Sequence, residues 1–144
     1  MVLIETAIDK LREQGFKVTP QRIAILKALL NNTAHPTAEA IYELVRVEHP
    51  TMSLNTVYKT LEVLGSIGEV VVLNVKEGRN HFDPNTSPHH HFVCRRCRKI
   101  LDVHGDYSDA FVVPADLKDR HQVEGYQVEF FGVCKECEAR GADG

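Results

Sequence analysis

SLNTVYKTLEVLGSIGEVVVLNVKEGRNHFD, residues 53–83, changes its periodicity halfway along. Leu54, Val57, Leu61 and Leu64 recur three or four positions apart and make one apolar stripe on a helix that Ser53 opens as a cap. Asn55, Thr56, Tyr58, Lys59 and Glu62 fall on the other faces. After Gly68 the pattern becomes that of strands: EVVVLNV, a turn over residues 76–80, and a second short run over residues 81–83. A helix with a polar face, followed at once by a hairpin, is how a winged helix-turn-helix ends.

The residues before it supply the helices that such a domain needs. Ile4, Ala7, Ile8 and Leu11 have helical spacing, and Gly15 ends that element. Thr19-Pro20 opens a second helix, because Thr can cap and Pro at the first helical position loses no needed N–H. Ile23, Leu26 and Leu30 are its expected inward face, and it gives out at Asn31-Asn32. Thr37 caps a third helix with Glu39 near the positive end of its dipole. That helix turns Ile41, Leu44 and Val45 inward and stops before Pro50. Periodicity alone equally describes a plain helical bundle. The hairpin and the Asn, Thr, Tyr and Lys face favour DNA, since those side chains reach phosphates and base edges. Bulk charge gives no help: the chain carries −3, and residues 1–72 hold seven Lys and Arg against eight Asp and Glu.

The next stretch, HFDPNTSPHHHFVCRRCRKILD, residues 81–102, holds four of the eight histidines and two of the four cysteines. Residues 84–90 are rich in turn formers and divide the chain into an expected domain over 1–83 and another over 91–144. The second contains three strand-like runs (HFVC, KILDV and QVEFFGV), one short helix after Pro114, and a tail after Cys137 expected to be disordered. Its core is thin, and such a unit needs a metal staple, a partner subunit, or both. Both are expected here, the partner being a second copy. The expected fold class is α+β: an N-terminal winged helix-turn-helix domain plus a small C-terminal α/β dimerisation domain with structural zinc.

Cys94 and Cys97 form one C-x-x-C, and Cys134 and Cys137 form the other. Four thiolates are the closed tetrahedral set of a structural zinc. Redox motifs or inert thiols are the alternatives, but the chain shows no thioredoxin-like unit to carry a redox pair. Arg95, Arg96 and Arg98 offset the negative charge of four thiolates. The histidines are less specific, since a run in a linker is usually just solvated. On a strand entering at His89, however, His89 and His91 point one way and His90 the other. With His35, Asp83 and Asp102 they make a second, sulfur-free site suited to an exchangeable divalent metal. His81, Asp83 and His91 also match the facial triad of an iron oxygenase, although too few strands are present for that fold. A zinc deaminase would need an H-x-E ahead of its cysteines, which the chain lacks. A zinc-stabilised interaction module with no sensing role is the remaining alternative.

The first residues carry an acid at Glu5 and no long apolar core, which argues against a signal peptide, and the longest aliphatic run, residues 70–73, is too short to span a bilayer. The expectation is a cytoplasmic protein without a membrane partner, whose thiols stay reduced.

VTPQR, AHPTAEAIY, MSLNTVYKTL, HFD, HHHFVCRRCRKILD and FFGVC-x-x-C occur in an order that resembles the ferric uptake regulator (Fur) family over about residues 10–137. The resemblance implies a homodimeric winged-helix repressor that binds double-stranded operator DNA when a regulatory metal is loaded, with zinc at Cys94, Cys97, Cys134 and Cys137. His35, Asp83, His89, His91 and Asp102 match the regulatory site of the family's peroxide-sensing, PerR-like branch; Asp102 stands where iron-sensing members usually carry Glu. That branch implies iron(II), which reacts with hydrogen peroxide and oxidises a ligating histidine at the positions of His35 or His89, or manganese, which represses but responds poorly. The same resemblance leaves open a reversible iron- or zinc-uptake repressor. DNA contacts are expected from Ser53, Asn55, Thr56, Tyr58 and Lys59, with Arg22, Lys76 and Arg79 on phosphates. On the regulator reading, His81 has little part in metal affinity.

Overall fold

Thr19, Thr37 and Ser53 each do what their positions promise. Each side-chain oxygen accepts the backbone N–H three residues on, from Arg22, Ala40 and Thr56. In the computed structural model, which describes residues 4–30, 32–74 and 79–141, these caps open α2 (Pro20–Leu29), α3 (Ala38–Val45) and α4 (Leu54–Ser66), following α1 (Ile4–Glu13). Gly68, at φ +79, closes α4: its own N–H bonds to Gly65 O and the Glu69 N–H to Leu64 O. Strands β1 (Val71–Asn74) and β2 (Asn80–Asp83) then pair antiparallel, Val71 opposite Asp83 and Asn74 opposite Asn80. Residues 76–78 of the expected wing turn, with Lys76, lie outside the described residues, as does Asn31, and Asn80, expected in that turn, opens β2.

These elements form one unit, residues 1–87, with a single apolar core from the helices, Val70 and Phe82. The apolar stripe of α4 is found with Val57, Leu61 and Leu64 buried; Leu54 is only half-buried, and Thr60 joins them by bonding back to Thr56 O. Three expectations need correcting. Helix α2 buries Ile25, Leu26 and Leu29 besides the capping Leu30, leaving Ile23 half-exposed. It packs against α1, α3 and α4, so apolar residues surround it and spacing alone does not choose a face. Leu44 of α3 is 55% exposed rather than inward. Glu69 is not a strand residue: it is buried after α4 and paired with Lys10 of α1.

The second unit, residues 88–144, is built on a three-stranded sheet in the order β4-β3-β5. Strand β3 (His90–Cys94) pairs antiparallel with β4 (Ile100–Val103) and parallel with β5 (Glu129–Gly132). Between β4 and β5 lie a 3-10 turn (Ser108–Ala110) and α5 (Ala115–Arg120), the short helix expected after Pro114. A further helix, α6 (Lys135–Ala139), starts from Cys134 as its cap, carries Cys137 and takes in Glu138 and Ala139, the first two residues of the tail expected to be disordered. Arg96 holds its end, donating to Cys137 O at 3.2 Å and Gly141 O at 2.5 Å. No helix among the described residues is long and apolar enough to cross a membrane.

Candidate metal centres and nucleic-acid face

The first C-x-x-C is a knuckle at the end of the β3–β4 hairpin. Cys94 N–H bonds to Lys99 O and Arg98 N–H to Cys94 O, each at 3.0 Å, and Arg98 takes the left-handed conformation that turns the chain back, φ +65. The second pair follows β5, which lies beside β3 and registers Gly132 against Cys94. The Arg95 N–H to Gly132 O bond, 2.7 Å, and the Cys134 N–H to Cys94 Sγ bond, 3.3 Å, lock the two halves together. The four sulfurs lie within 4.8 Å of one another, and Cys97 Sγ is 3.7 Å from Cys134 Sγ. A tetrahedron of ~2.3 Å zinc–sulfur bonds has edges of about 3.8 Å, so the spacing suits zinc. Cys94, Cys134 and Cys137, with Phe92 and Val133 against them, are also the apolar cluster of this unit.

The thiols do not share one chemistry. Backbone N–H groups, first that of Cys134, pull Cys94 down to about 5, whereas burial and then the neighbouring sulfurs push Cys137 up to about 12. Four thiols packed this closely, three of them buried, cannot all ionise together without a cation. A divalent ion removes that conflict, because it favours every thiolate at once.

The sulfur-free residues fall in the two units. In the first, His35 sits at φ +53 just before Pro36, and its Nε2 lies 3.3 Å from Asp83 Oδ2, both side chains buried. In the second, Asp102 Oδ1 lies 3.0 Å from His89 Nε2 and 3.5 Å from His91 Nε2. The two imidazoles meet edge to face at 4.5 Å. Strand register explains this pairing, since His91 is directly opposite Asp102. His90 points elsewhere: its Nδ1 accepts the Val128 N–H, and its ring stacks on Tyr126. Imidazole nitrogens around one buried and one half-buried carboxylate are donors for a borderline or hard divalent cation, not for one that seeks sulfur.

Three residues that the sequence suggested for other reasons make contacts it did not reveal, two beside the metal centres and one beside α4. His81 reaches the His35 carbonyl with Nδ1, at 2.6 Å, so this imidazole is engaged with backbone. Arg96 braces α6, as described above. Glu39 accepts the Tyr58 hydroxyl at 2.5 Å and lies 3.9 Å from Arg79. Spacing could not reveal any of the three, because each contact joins residues 19 to 46 positions apart or depends on a backbone atom.

The residues expected on DNA divide by what they already do. Asn55 and Lys59 on α4 are exposed. Ser53 and Thr56 are joined by their hydroxyls at 2.9 Å in the cap of α4. Tyr58 is half-exposed, with its proton directed at Glu39. Arg79 is exposed beside β2, whereas Arg22 donates to Lys17 O and lies over the Phe16 ring.

The profile of the ferric uptake regulator family matches residues 13–130 of this chain. The chain is 39% identical over 134 residues to the peroxide operon regulator of Bacillus subtilis, covering 93% of this chain and 92% of that one. It is 37% identical over 138 residues to the peroxide-responsive repressor PerR of Staphylococcus epidermidis, covering 96% and 92%. Among solved structures, the ferric uptake regulator Fur of Helicobacter pylori matches with a TM-score of 0.81 across 95% of each chain, at 20% identity, a likeness of fold.

Proposed function

The chain belongs to the ferric uptake regulator family, and from that premise we propose that it is a metal-dependent transcriptional repressor that senses hydrogen peroxide by oxidation of a metal-ligating histidine. Cys94, Cys97, Cys134 and Cys137 hold a structural zinc. His35, Asp83, His89, His91 and Asp102 hold the regulatory ion, iron(II) or manganese(II). The working protein is a cytoplasmic homodimer, and α4 of each copy reads operator DNA, with Asn55, Tyr58 and Lys59 facing the groove and Arg79 near a phosphate.

The observation that carries this reading is the separation of donors: four thiols packed together, and imidazoles set against carboxylates without sulfur. A thiolate set holds an ion without yielding it, whereas nitrogen and oxygen donors exchange. An iron(II) ion held by the second set would activate hydrogen peroxide there, with no net change in its own oxidation state once the ring is oxidised. Addition of one peroxide oxygen to an imidazole carbon of His35 or His89 releases the other as water, a two-electron oxidation of the ring. The oxidised ring is a poorer donor, the ion leaves, and the repressor leaves DNA.

Peptide mass spectrometry tests this directly. Protein purified without oxygen is loaded with iron(II) or manganese(II), treated with hydrogen peroxide and digested. One added oxygen on peptides bearing His35 or His89, in the iron sample alone, is the expected result. Unmodified histidines with the metal retained would instead make the protein a reversible metal-uptake repressor. Modification confined to the cysteines would overturn the histidine mechanism.

A further inference from the structure

Tyr58 stands on the exposed face of α4, yet its hydroxyl is not left to the solvent. It donates to Glu39 Oε1 at 2.5 Å, across to the first turn of α3. The other carboxylate oxygen lies 3.9 Å from Arg79 Nη1, beside β2. Glu39 therefore meets α4 on one side and the wing on the other. Its charge is supported where it sits: it follows the Thr37 cap, near the positive end of the helix dipole. The Tyr58 hydroxyl above all, and then its own backbone N–H, hold the Glu39 carboxyl below the usual range, so it remains an acceptor.

We propose that Glu39 is a positioning residue for base reading: by taking the Tyr58 proton it presents the tyrosine oxygen to the major groove as an acceptor, matched to the exocyclic amino group of adenine or cytosine. A hydroxyl has one proton and two lone pairs, so committing the proton leaves only acceptor capacity facing outward. In the major groove, adenine N6 and cytosine N4 are the donors, while guanine O6 and N7 and thymine O4 accept. A tyrosine free to rotate its proton would tolerate either class; one fixed by Glu39 rejects the acceptors. Arg79 on the second oxygen keeps the carboxylate turned the right way. The proposal rests on the reading of α4 as the DNA-reading helix.

A plain structural role, clipping α3 to α4, is the competing explanation. Loss of a clip lowers thermal stability and affinity for all sequences together. Loss of a proton-directing group changes base preference at one position. Full-length protein loaded with zinc and manganese(II) is incubated with a pool of duplexes carrying a randomised centre, and the bound fraction is sequenced. Wild type is expected to enrich one motif. Glu39→Ala and Tyr58→Phe should each lower discrimination at the same base pair by about tenfold. Glu39→Gln, which keeps an oxygen acceptor, should restore most of it. The double variant should lose no more than either single one, since both remove one interaction.

If Glu39→Ala or Tyr58→Phe enriches the motif with wild-type discrimination, or if the two lose preference at different base pairs, the proposal is overturned. A wild type that enriches no sequence overturns the DNA-reading assignment, and the proposal with it. Tyr58→Phe keeps the ring on an exposed position and decides the matter alone should Glu39→Ala fail to fold.

Discussion

His81 Nδ1 stands 2.6 Å from the carbonyl oxygen of His35, so a wing residue holds the backbone of a candidate metal ligand. The carbonyl can only accept, which puts the proton of His81 on Nδ1. His35 takes a left-handed backbone, φ +53, a conformation that costs an L-residue on the order of 1 kcal/mol. Two more contacts keep it there: Phe82 N–H donates to Pro36 O at 2.9 Å, and Thr37 bridges to His81. The loop over residues 35–37 therefore lies along β2, the strand that also ends in Asp83. His35 and Asp83 are brought together by one local piece of pairing.

That arrangement revises the expectation that His81 has little part in metal affinity. His81→Phe removes the bond while keeping a planar ring, and the loop then reaches its strained conformation less often. Manganese(II) affinity should fall by about tenfold, the lower end of the effect of losing an outer partner of a ligand. Zinc content should stay at wild-type level, since the cysteines lie in the other unit. Titration calorimetry on zinc-loaded protein measures the first, and metal analysis the second. An affinity equal to wild type would mean that Phe82 and Pro36 suffice to hold the loop.

Because Cys94, Cys134 and Cys137 are themselves the apolar cluster of the second unit, zinc and core are hard to separate there. Structural zinc in small domains contributes roughly 10–16 kcal/mol of apparent binding energy, comparable with or above the ~5–15 kcal/mol that holds a whole domain. Chelation under denaturing conditions, or Cys94→Ser, should abolish amide protection in β3, β4 and β5. The helices of the first unit should keep theirs. Hydrogen exchange read by mass spectrometry resolves the two units, and persistent protection of β3 in zinc-free protein would count against the metal as the staple.

How far the sequence alone was legible depended on the kind of signal. Caps and periodicity located α1 to α4, and the change of period after Gly68 located the wing, because those features act over a few residues. The two C-x-x-C pairs were legible because so few residue types make a closed soft-metal site. Leu26 and Leu30 are buried as expected, and Ile23 alone was misplaced on the inward face of α2, because that helix is packed on several sides. The buried Glu69 was missed because its partner, Lys10, lies far off in sequence. The α6 helix was missed, and its last residues read as disorder, because five residues with one cysteine give periodicity nothing to act on. Glu39 illustrates the same limit from the functional side: its cap position was visible, but its hold on Tyr58 was not.

Asp102 serves two imidazoles through one oxygen, so its length is critical. Asp102→Glu adds a methylene that moves the carboxylate toward His89 and His91 without changing its charge. DNA binding in the manganese-loaded form should survive. The yield of oxidised His35 and His89 after peroxide treatment of the iron form should drop by on the order of tenfold or more, because redox reactivity depends on ligand geometry more steeply than binding does. Quantitative peptide mass spectrometry beside a DNA-binding assay separates the two effects. Wild-type oxidation yield in Asp102→Glu would remove the main support for the peroxide-sensing reading over a reversible uptake repressor.

Strand β5 lies at the edge of its sheet, bonded to β3 on one side, and among the described residues no strand pairs with its other side. An edge of this kind invites a second chain unless it is blunted by charge or proline. Here it carries Phe130 and Phe131, the latter 70% exposed, and Leu101 and Val112 are exposed in the same unit. So much apolar surface on a small unit is what a homodimer covers. Phe131 is opposite Val93 in register, and Val93 is buried, so the strand itself is well anchored while its aromatic ring is left outside. Phe131→Asp should therefore weaken self-association without unfolding the sheet. Truncating a buried aromatic anchor at an interface costs ~2 kcal/mol or more, at least tenfold in the dissociation constant, and an added charge deepens the loss. Sedimentation velocity across a concentration series should show wild type as a dimer and Phe131→Asp shifted to monomer, with zinc content equal in both. A dimer of undiminished strength in Phe131→Asp would place the interface on another face of the unit.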